Sequence, residues 1–249
     1  MRKLAASACL ALLAMSAPLT VMAQTTPWDE NVRATVVRVV QRTAAAVDAQ
    51  PSPRTPNDEP SDVTAVPDLP AAWFNGTTMG DPNAPVIVQV WEDFLCPSCR
   101  GWSATIEPQV VEEYVKPGLV RLEIHHFPLS MHSPGAEMGA QASLCANDQE
   151  LFWPYRQRLF AAQDDGQAGF TTDALVRYAD ELGLDRTAFE ECMNNQTYQD
   201  EVAESVNEAL SIGLNFVTSI IVNGEWMNDS FDYETEMKNL MDRALSGEE

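Results

Sequence analysis

The stretch DPNAPVIVQVWEDFLCPSCRGW, residues 81–102, decides the fold. Within it Pro85–Trp91 is a nearly continuous apolar run, as in a strand buried on both faces of a sheet. Pro97 suits a helix's first turn, and Pro97–Val115 reads as that helix. Cys96-Pro97-Ser98-Cys99 therefore lies between a buried strand and a helix N-terminus, where free backbone N–H groups and the helix dipole stabilise an anion. Cys96 is expected to be the more exposed sulfur, with a depressed pKa. Cysteines in such motifs titrate at ~3.5–7.5, against ~8.5 for a free thiol. A thiolate of this kind is both a good nucleophile and a good leaving group. Cys99, one turn deeper, is the candidate resolving thiol. A CxxC pair is also half of a zinc site, which needs two further ligands at suitable spacing. Cys145 and Cys192 are far apart and each falls in a predicted helix, so the strand–CxxC–helix context points to redox chemistry.

Outward from this motif the elements alternate. Leu119–Phe127 reads as a second strand, and Ser133-Pro134 is suited to cap and open a helix reaching about Asn147. Further helices are predicted near Leu151–Ala162, Thr171–Leu182, Arg186–Met193 and Gln196–Ile212. Ser219–Val222 is a β-branched run, and Asn223-Gly224 is a strong hairpin signal. Glu225–Met227 is the return strand and Tyr233–Leu245 the closing helix. A βαβ unit and a ββα unit thus make an α/β sheet with helices on both faces. The helical block between them, about 133–212, is too long for a loop and forms a helical lid or subdomain.

The N-terminal part is of another kind. Arg2 and Lys3 precede the apolar stretch Leu4–Leu13, and Val21-Met22-Ala23 offers small residues before a cleavage site. Residues 1–23 are thus expected to be a signal peptide cut before Gln24. That destination is periplasmic or extracellular. Residues 24–48 carry an amphipathic helix: Thr26 and Asp29 suit a capping box, Pro27 the first turn, and Trp28, Val32, Val36, Val39 and Val47 form an apolar stripe. That stripe packs on the main domain, or binds a partner or a second copy of the chain. Residues 49–70, with six prolines, are a Pro-rich linker. The single domain of residues 71–249 follows.

The chain carries 15 Lys+Arg against 37 Asp+Glu, a net −22, which disfavours nucleic-acid partners. The domain itself holds −21 of this charge, which favours solubility, with a weaker preference for basic client chains. Without Cys9, which lies in the leader, four cysteines remain for an oxidising compartment. Four permit three connectivities, and the closeness of Cys96 and Cys99 makes 96–99 with 145–192 the natural one.

The segment 81–102, then HHFPLSMH, ASLCANDQELFWPYRQRLF, LGLDRTAFEECM and the VNG hairpin occur in the order of DsbA-type thioredoxin-fold proteins. The resemblance covers about residues 71–249. It implies a thioredoxin fold with a helical insertion and a thiol–disulfide oxidoreductase of the cell envelope without a cofactor. It further implies cysteine-containing client proteins and a membrane partner that restores the disulfide. Cys96 becomes the nucleophile, Cys99 the resolving cysteine, and Pro97-Ser98 the dipeptide that tunes the potential. Strongly oxidising members carry histidine at the position of Ser98, so a less oxidising protein is expected. Some relatives carry a second disulfide at the positions of Cys145 and Cys192, which are expected to form a structural bond.

Two positions depart from the family. An acid usually stands six residues before the first cysteine, buried and able to move protons. Val90 stands there, and Glu92, with the same side-chain parity, is the candidate substitute. Asp93 matches an acid often seen three residues before the cysteine; it is a second candidate for proton transfer and is expected above all to steady the turn. The family's cis-proline falls on Thr218, after Val217. A cis bond before a non-proline residue costs ~2.5–4 kcal/mol, so energy alone favours a trans Val217–Thr218 bond. These departures keep a second function in view: a client- or copper-binding module with weak turnover, built on Cys96 and Cys99 with Met131 or His132.

Of the rest, His125 and His126 point to opposite faces, one packed and one exposed, and His132 is expected to cap a helix. Trp91, Phe94, Trp102 and Phe216 are candidates for an apolar patch beside Cys96, with Trp91 the one best suited to the core. Phe152, Trp153 and Phe160 are assigned to packing in the insertion. Asn75-Gly76-Thr77, Asn195-Gln196-Thr197 and Asn228-Asp229-Ser230 match the glycosylation pattern, which carries little weight behind a bacterial-looking leader.

Overall fold

The structure, a computed structural model, describes residues 66–227 and 233–247. The expected signal peptide, N-terminal helix and most of the linker lie outside the described residues.

The central strand is β3, Val86–Glu92. Val86, Val88, Val90 and Trp91 are buried, as the apolar run requires. It pairs in parallel with β4, Val120–His126, and antiparallel with β5, Ser219–Val222. The hairpin turn Asn223-Gly224 leads to β6, Glu225–Trp226. Two short strands precede these, β1 at Phe74–Asn75 and β2 at Thr78–Gly80, so the sheet order is β1-β2-β4-β3-β5-β6. The sequence reading missed this first hairpin. Gly80 is needed there, because its φ is +131° and a Cβ would lie 2.6 Å from the Val120 carbonyl oxygen.

After β3 the chain is helical from Pro97 to Val115: α1, Pro97–Gly101, and α2, Glu107–Val110, are joined and followed by wide π turns. Pro108 has no N–H to give the preceding turn, and Glu107 N–H reaches back five residues to the Trp102 carbonyl. The insertion holds α3, Gly135–Asn147; α4, Phe152–Ala161; α5, Thr172–Glu181; α6, Arg186–Asn194; and α7, Gln199–Ser211. The closing helix α8 is Tyr233–Ser246. Thr171 and Asp185 cap α5 and α6 with their side chains. Ser133 gives no such cap to α3; Ser133–Pro134 is a cis bond and Pro134 holds the cap position.

Two apolar clusters flank the sheet. One joins β3, β4 and β5 to the π turns, α2 and α8 through Val88, Val110, Val111, Leu122, Ile220 and Leu240. The other is the core of the insertion, entered by Trp91 of β3, by Phe94 and Phe127 just beyond the ends of β3 and β4, and by both Cys96 and Cys99. Trp91, Phe94 and Trp102 are therefore core, and of the four expected patch residues only Phe216 is exposed. Among the described residues no helix is long and apolar enough to cross a membrane.

A disulfide joins Cys145 of α3 to Cys192 of α6 with Cα atoms 5.9 Å apart, closing a loop of 47 residues. A loop of this length corresponds to about 4 kcal/mol in the chain-entropy model. Cys145→Ala is expected to lower the melting temperature by roughly 8–16 °C while Cys96 alkylates at its wild-type rate. A variant that melts as usual, or loses Cys96 reactivity, would contradict a structural role for this bond.

Candidate active site

Strand β3 ends at Glu92, and Asp93 turns the chain into α1. The Asp93 carboxylate accepts the Leu95 N–H at 2.7 Å and the Leu129 N–H at 2.8 Å, and pairs with His132 Nδ1 at 2.8 Å. It therefore holds two loops together, and His132 is tied to it instead of capping a helix. The Asp93 backbone N–H points the other way and donates to Cys99 Sγ at 3.4 Å. Cys96 takes the cap position of α1 in extended conformation, with Pro97 in the first turn.

Cys96 and Cys99 are free thiols, and Cys96 is the more exposed of the two. The Cys99 thiol donates to the Cys96 sulfur and is the main cause that lowers the Cys96 pKa to about 5. Burial opposes this, while the Ser98 hydroxyl and the backbone N–H groups of Cys99 and Ser98 reinforce it. Cys99 moves the opposite way. Burial pushes its thiol well above the ordinary value, and donation to Cys96 adds to the effect. The environments thus separate two like groups into a stable thiolate and a stable thiol.

Facing them is the loop before β5. The Val217–Thr218 bond is cis, contrary to the expectation from local energy alone. Contacts on both sides of the bond decide the geometry. The Val217 carbonyl lies within reach of the Ser98 hydroxyl, 3.2 Å away, and 3.8 Å from Cys96 Sγ, so the single Ser98 hydrogen is shared between this carbonyl and the Cys96 sulfur at 3.1 Å. The Thr218 hydroxyl donates to Cys99 Sγ at 3.2 Å. Val217 and Thr218 are buried beside the sulfurs, whereas Phe216, just before them, is the partly exposed apolar group at the rim.

Glu92 stands elsewhere. Both its carboxylate oxygens bind Arg156 of α4 at 2.7 Å, and Arg156 also makes two bonds to Glu107, at 2.9 and 2.7 Å. A bond of 3.3 Å to Ser103 Oγ uses the remaining N–H, and the guanidinium lies over the rings of Trp153 and Phe160. All three charged groups are buried. Burial raises the Glu92 pKa in spite of Arg156, and the two carboxylates hold Arg156 protonated. Glu92 is thus committed to a buried ion-pair cluster, away from the open proton-transfer position considered for it. Arg156 went unread in the sequence, although its place four residues after Phe152 and four before Phe160 sets it on the buried face of α4. Gln163 was missed as well. It donates to the carbonyls of Phe94 and Cys96 at 2.9 and 3.0 Å, tying the insertion to the CxxC loop.

His126 is buried against Ser143, and His125 is half-buried and stacked on Trp91. Met131 is largely exposed. Among the described residues no group of three or more His, Cys, Asp or Glu side chains is placed to share a metal.

The family model described as Thioredoxin matches residues 74–243. The chain is 27% identical over 177 residues to a probable disulfide bond formation protein D of Bacillus cereus, covering 70% of this chain and 81% of that protein. Its fold is similar to the crystal structure of oxidised BdbD from Bacillus subtilis, with a TM-score of 0.63 and 23% identity, over 69% of this chain and 94% of that one. Pseudomonas aeruginosa DsbA2 is similar too, with a TM-score of 0.57 and 23% identity, over 70% and 94% of the two chains. A match across most of the domain, on a sheet that carries CxxC at the start of a helix, shows that this chain belongs to the thioredoxin family.

Proposed function

We propose that this protein is an exported thiol–disulfide oxidoreductase that exchanges disulfides with cysteine-containing client proteins through Cys96 and Cys99. The observation that carries the reading is the placement of two free sulfurs at the start of α1, Cys96 the more exposed and Cys99 buried behind it, both facing the Val217–Thr218 loop. In the oxidised protein a client thiolate attacks Cys96 Sγ, and Cys99 leaves with the electron pair of the broken bond. A second client thiolate then attacks the client sulfur of the mixed disulfide, and Cys96 leaves as the stabilised thiolate. The client departs oxidised and the CxxC pair departs reduced. A membrane redox partner would restore the disulfide. The leader-like residues 1–23 and the Cys145–Cys192 bond favour an oxidising compartment. The N-terminal stripe, outside the described residues, is the candidate surface for a homo-oligomer.

The oxidase or isomerase direction is favoured, because a low-pKa thiolate stabilises the reduced form. Ser98 in place of a charged donor moderates it. The test is equilibration with a glutathione redox buffer, with free thiols trapped and located by mass and Cys145 and Cys192 as internal controls. A potential between about −120 and −200 mV is expected. A value near −270 mV would reverse the direction and require an electron source. A Cys96 that never exchanges would overturn the enzyme reading altogether.

A further inference from the structure

When a client opens the Cys96–Cys99 disulfide, negative charge appears on Cys99, which is fully buried. Burial opposes that charge, so the step needs a donor at the sulfur. The carboxylates nearby are occupied. Glu92 holds Arg156 with both oxygens. The Asp93 side chain holds Leu95, Leu129 and His132. Val90 is apolar and packed in the core beneath the sheet. Two donors do reach Cys99 Sγ, the Asp93 backbone N–H at 3.4 Å and the Thr218 hydroxyl at 3.2 Å.

The hydroxyl has a further partner. Thr218 Oγ1 lies 3.5 Å from Ser98 Oγ, and Ser98 Oγ lies 3.1 Å from Cys96 Sγ. The two sulfurs are therefore linked through two hydroxyls, each with one hydrogen to give and lone pairs to receive. With charge on Cys99, Thr218 donates to Cys99 and Ser98 is free to donate to Thr218 or to the Val217 carbonyl. With charge on Cys96, Ser98 donates to Cys96, and Cys99, now a thiol, donates to Cys96 as well.

We propose that Thr218 is a catalytic residue of the exchange, its hydroxyl bonding the Cys99 sulfur as that sulfur departs. This rests on the thiol–disulfide reading of the site. The client thiolate forms a bond to Cys96 Sγ, the Cys96–Cys99 bond breaks, and its electron pair goes to Cys99. The client sulfur is oxidised and Cys99 reduced. The proton that the client thiol gave up to become a thiolate is balanced by the one Cys99 finally takes up. Thr218 keeps its own proton throughout and supplies the hydrogen bond that makes Cys99 a better leaving group. A proline ring at this position offers no hydrogen to do so.

The test uses the oxidised full chain and reduced glutathione as the attacking thiol, with the opening rate followed across pH by stopped flow. Thr218→Val keeps the shape and removes the hydroxyl. A hydrogen bond to a charged group of ordinary strength predicts at least about a tenfold slower opening in this variant. Thr218→Ser is expected to stay within about twofold of wild type, and the pH at which Cys96 alkylation is half-maximal in the reduced protein to stay near about 5. Should Thr218→Val fold poorly by circular dichroism, Thr218→Ala serves in its place with the same expected loss. A hydroxyl-free variant that opens at the wild-type rate overturns the assignment of Thr218, as does a Thr218→Ser variant as slow as Thr218→Val. A wild-type protein that does not react with glutathione at all overturns the thiol–disulfide reading first, and is recognised by that.

Discussion

Iodoacetamide should modify Cys96 of the reduced protein with a pH profile half-maximal at about 5 and flat above about 6. The profile is more telling than the rate at neutral pH. At pH 7 a thiol of this pKa has about thirtyfold more thiolate than a free cysteine of ~8.5. Its intrinsic nucleophilicity, however, falls with pKa along a slope of ~0.4–0.5, which removes roughly the same factor. At pH 5 the thiolate advantage exceeds about a thousandfold, and Cys96 should outpace a free cysteine peptide by roughly 30–60-fold. A rate that climbs tenfold per pH unit up to pH 8 would show an ordinary thiol and remove the basis of the proposed chemistry. Cys96→Ser should abolish exchange with glutathione.

The same shift sets how the redox potential moves with pH. The folded Cys96 pKa lies below its ordinary value of 9.0. The stabilisation it gives the reduced form is thus complete above that ordinary value and is lost as pH falls through about 5. Between those limits reduction takes up one proton per two electrons, so the potential should fall by about 30 mV per pH unit. Below the lower limit two protons are taken up and the slope should double to about 59 mV. A single slope of about 59 mV from pH 4 to 8 would contradict a depressed Cys96.

Arg156→Met should be the most damaging substitution remote from the sulfurs. It leaves Glu92 and Glu107 buried beside one another without a counter-charge. Removing one partner of such a cluster typically costs about 3–5 kcal/mol, which in a domain of this size corresponds to a fall of roughly 6–20 °C in melting temperature. The loss should depend on pH. Burial already raises the Glu92 pKa above 4.5, and without Arg156 it rises further. A raised carboxyl favours the fold below its unfolded value and loses that advantage as pH climbs through its folded value. The variant should therefore approach wild type near pH 4 and fall furthest behind near pH 8. Adding Glu92→Gln should recover part of the loss at pH 8. Equal melting temperatures for Arg156→Met and wild type at pH 8 would mean that the cluster contributes nothing to the fold.

The features legible in the sequence were those with local signals. A nearly continuous apolar run marked β3, the proline after Cys96 marked the start of α1, and Asn223-Gly224 marked the last hairpin. The helices of the insertion followed from their periodicity and caps to within a few residues. The first hairpin was lost because Asn75-Gly76 carries the same turn signal as Asn223-Gly224 but flanks strands of two and three residues, and it was read as part of a glycosylation pattern. Arg156 and Arg158 look alike on the page, yet one is fully buried and the other reaches Glu181 at the surface. The difference lies with partners 64 and 49 residues away, which no local window contains. The cis Val217–Thr218 bond is not legible in the sequence for the same reason. Local energy favours trans, and contacts from α1, some 120 residues earlier in the chain, override it. At the site, Cys96 and Cys99 stood out by spacing, whereas the commitments of Glu92 and Asp93 were set by tertiary contacts.

Among the described residues the sheet ends at both margins in strands of two residues, β1 and β6. The clients proposed for this protein include unfolded chains, whose extended segments pair with any open strand. Long, flat margins recruit such segments into intermolecular sheets. Margins this short offer almost no open ladder. On the function proposed above, unfolded clients are held at the sulfurs without being drawn into co-aggregation along the sheet margins.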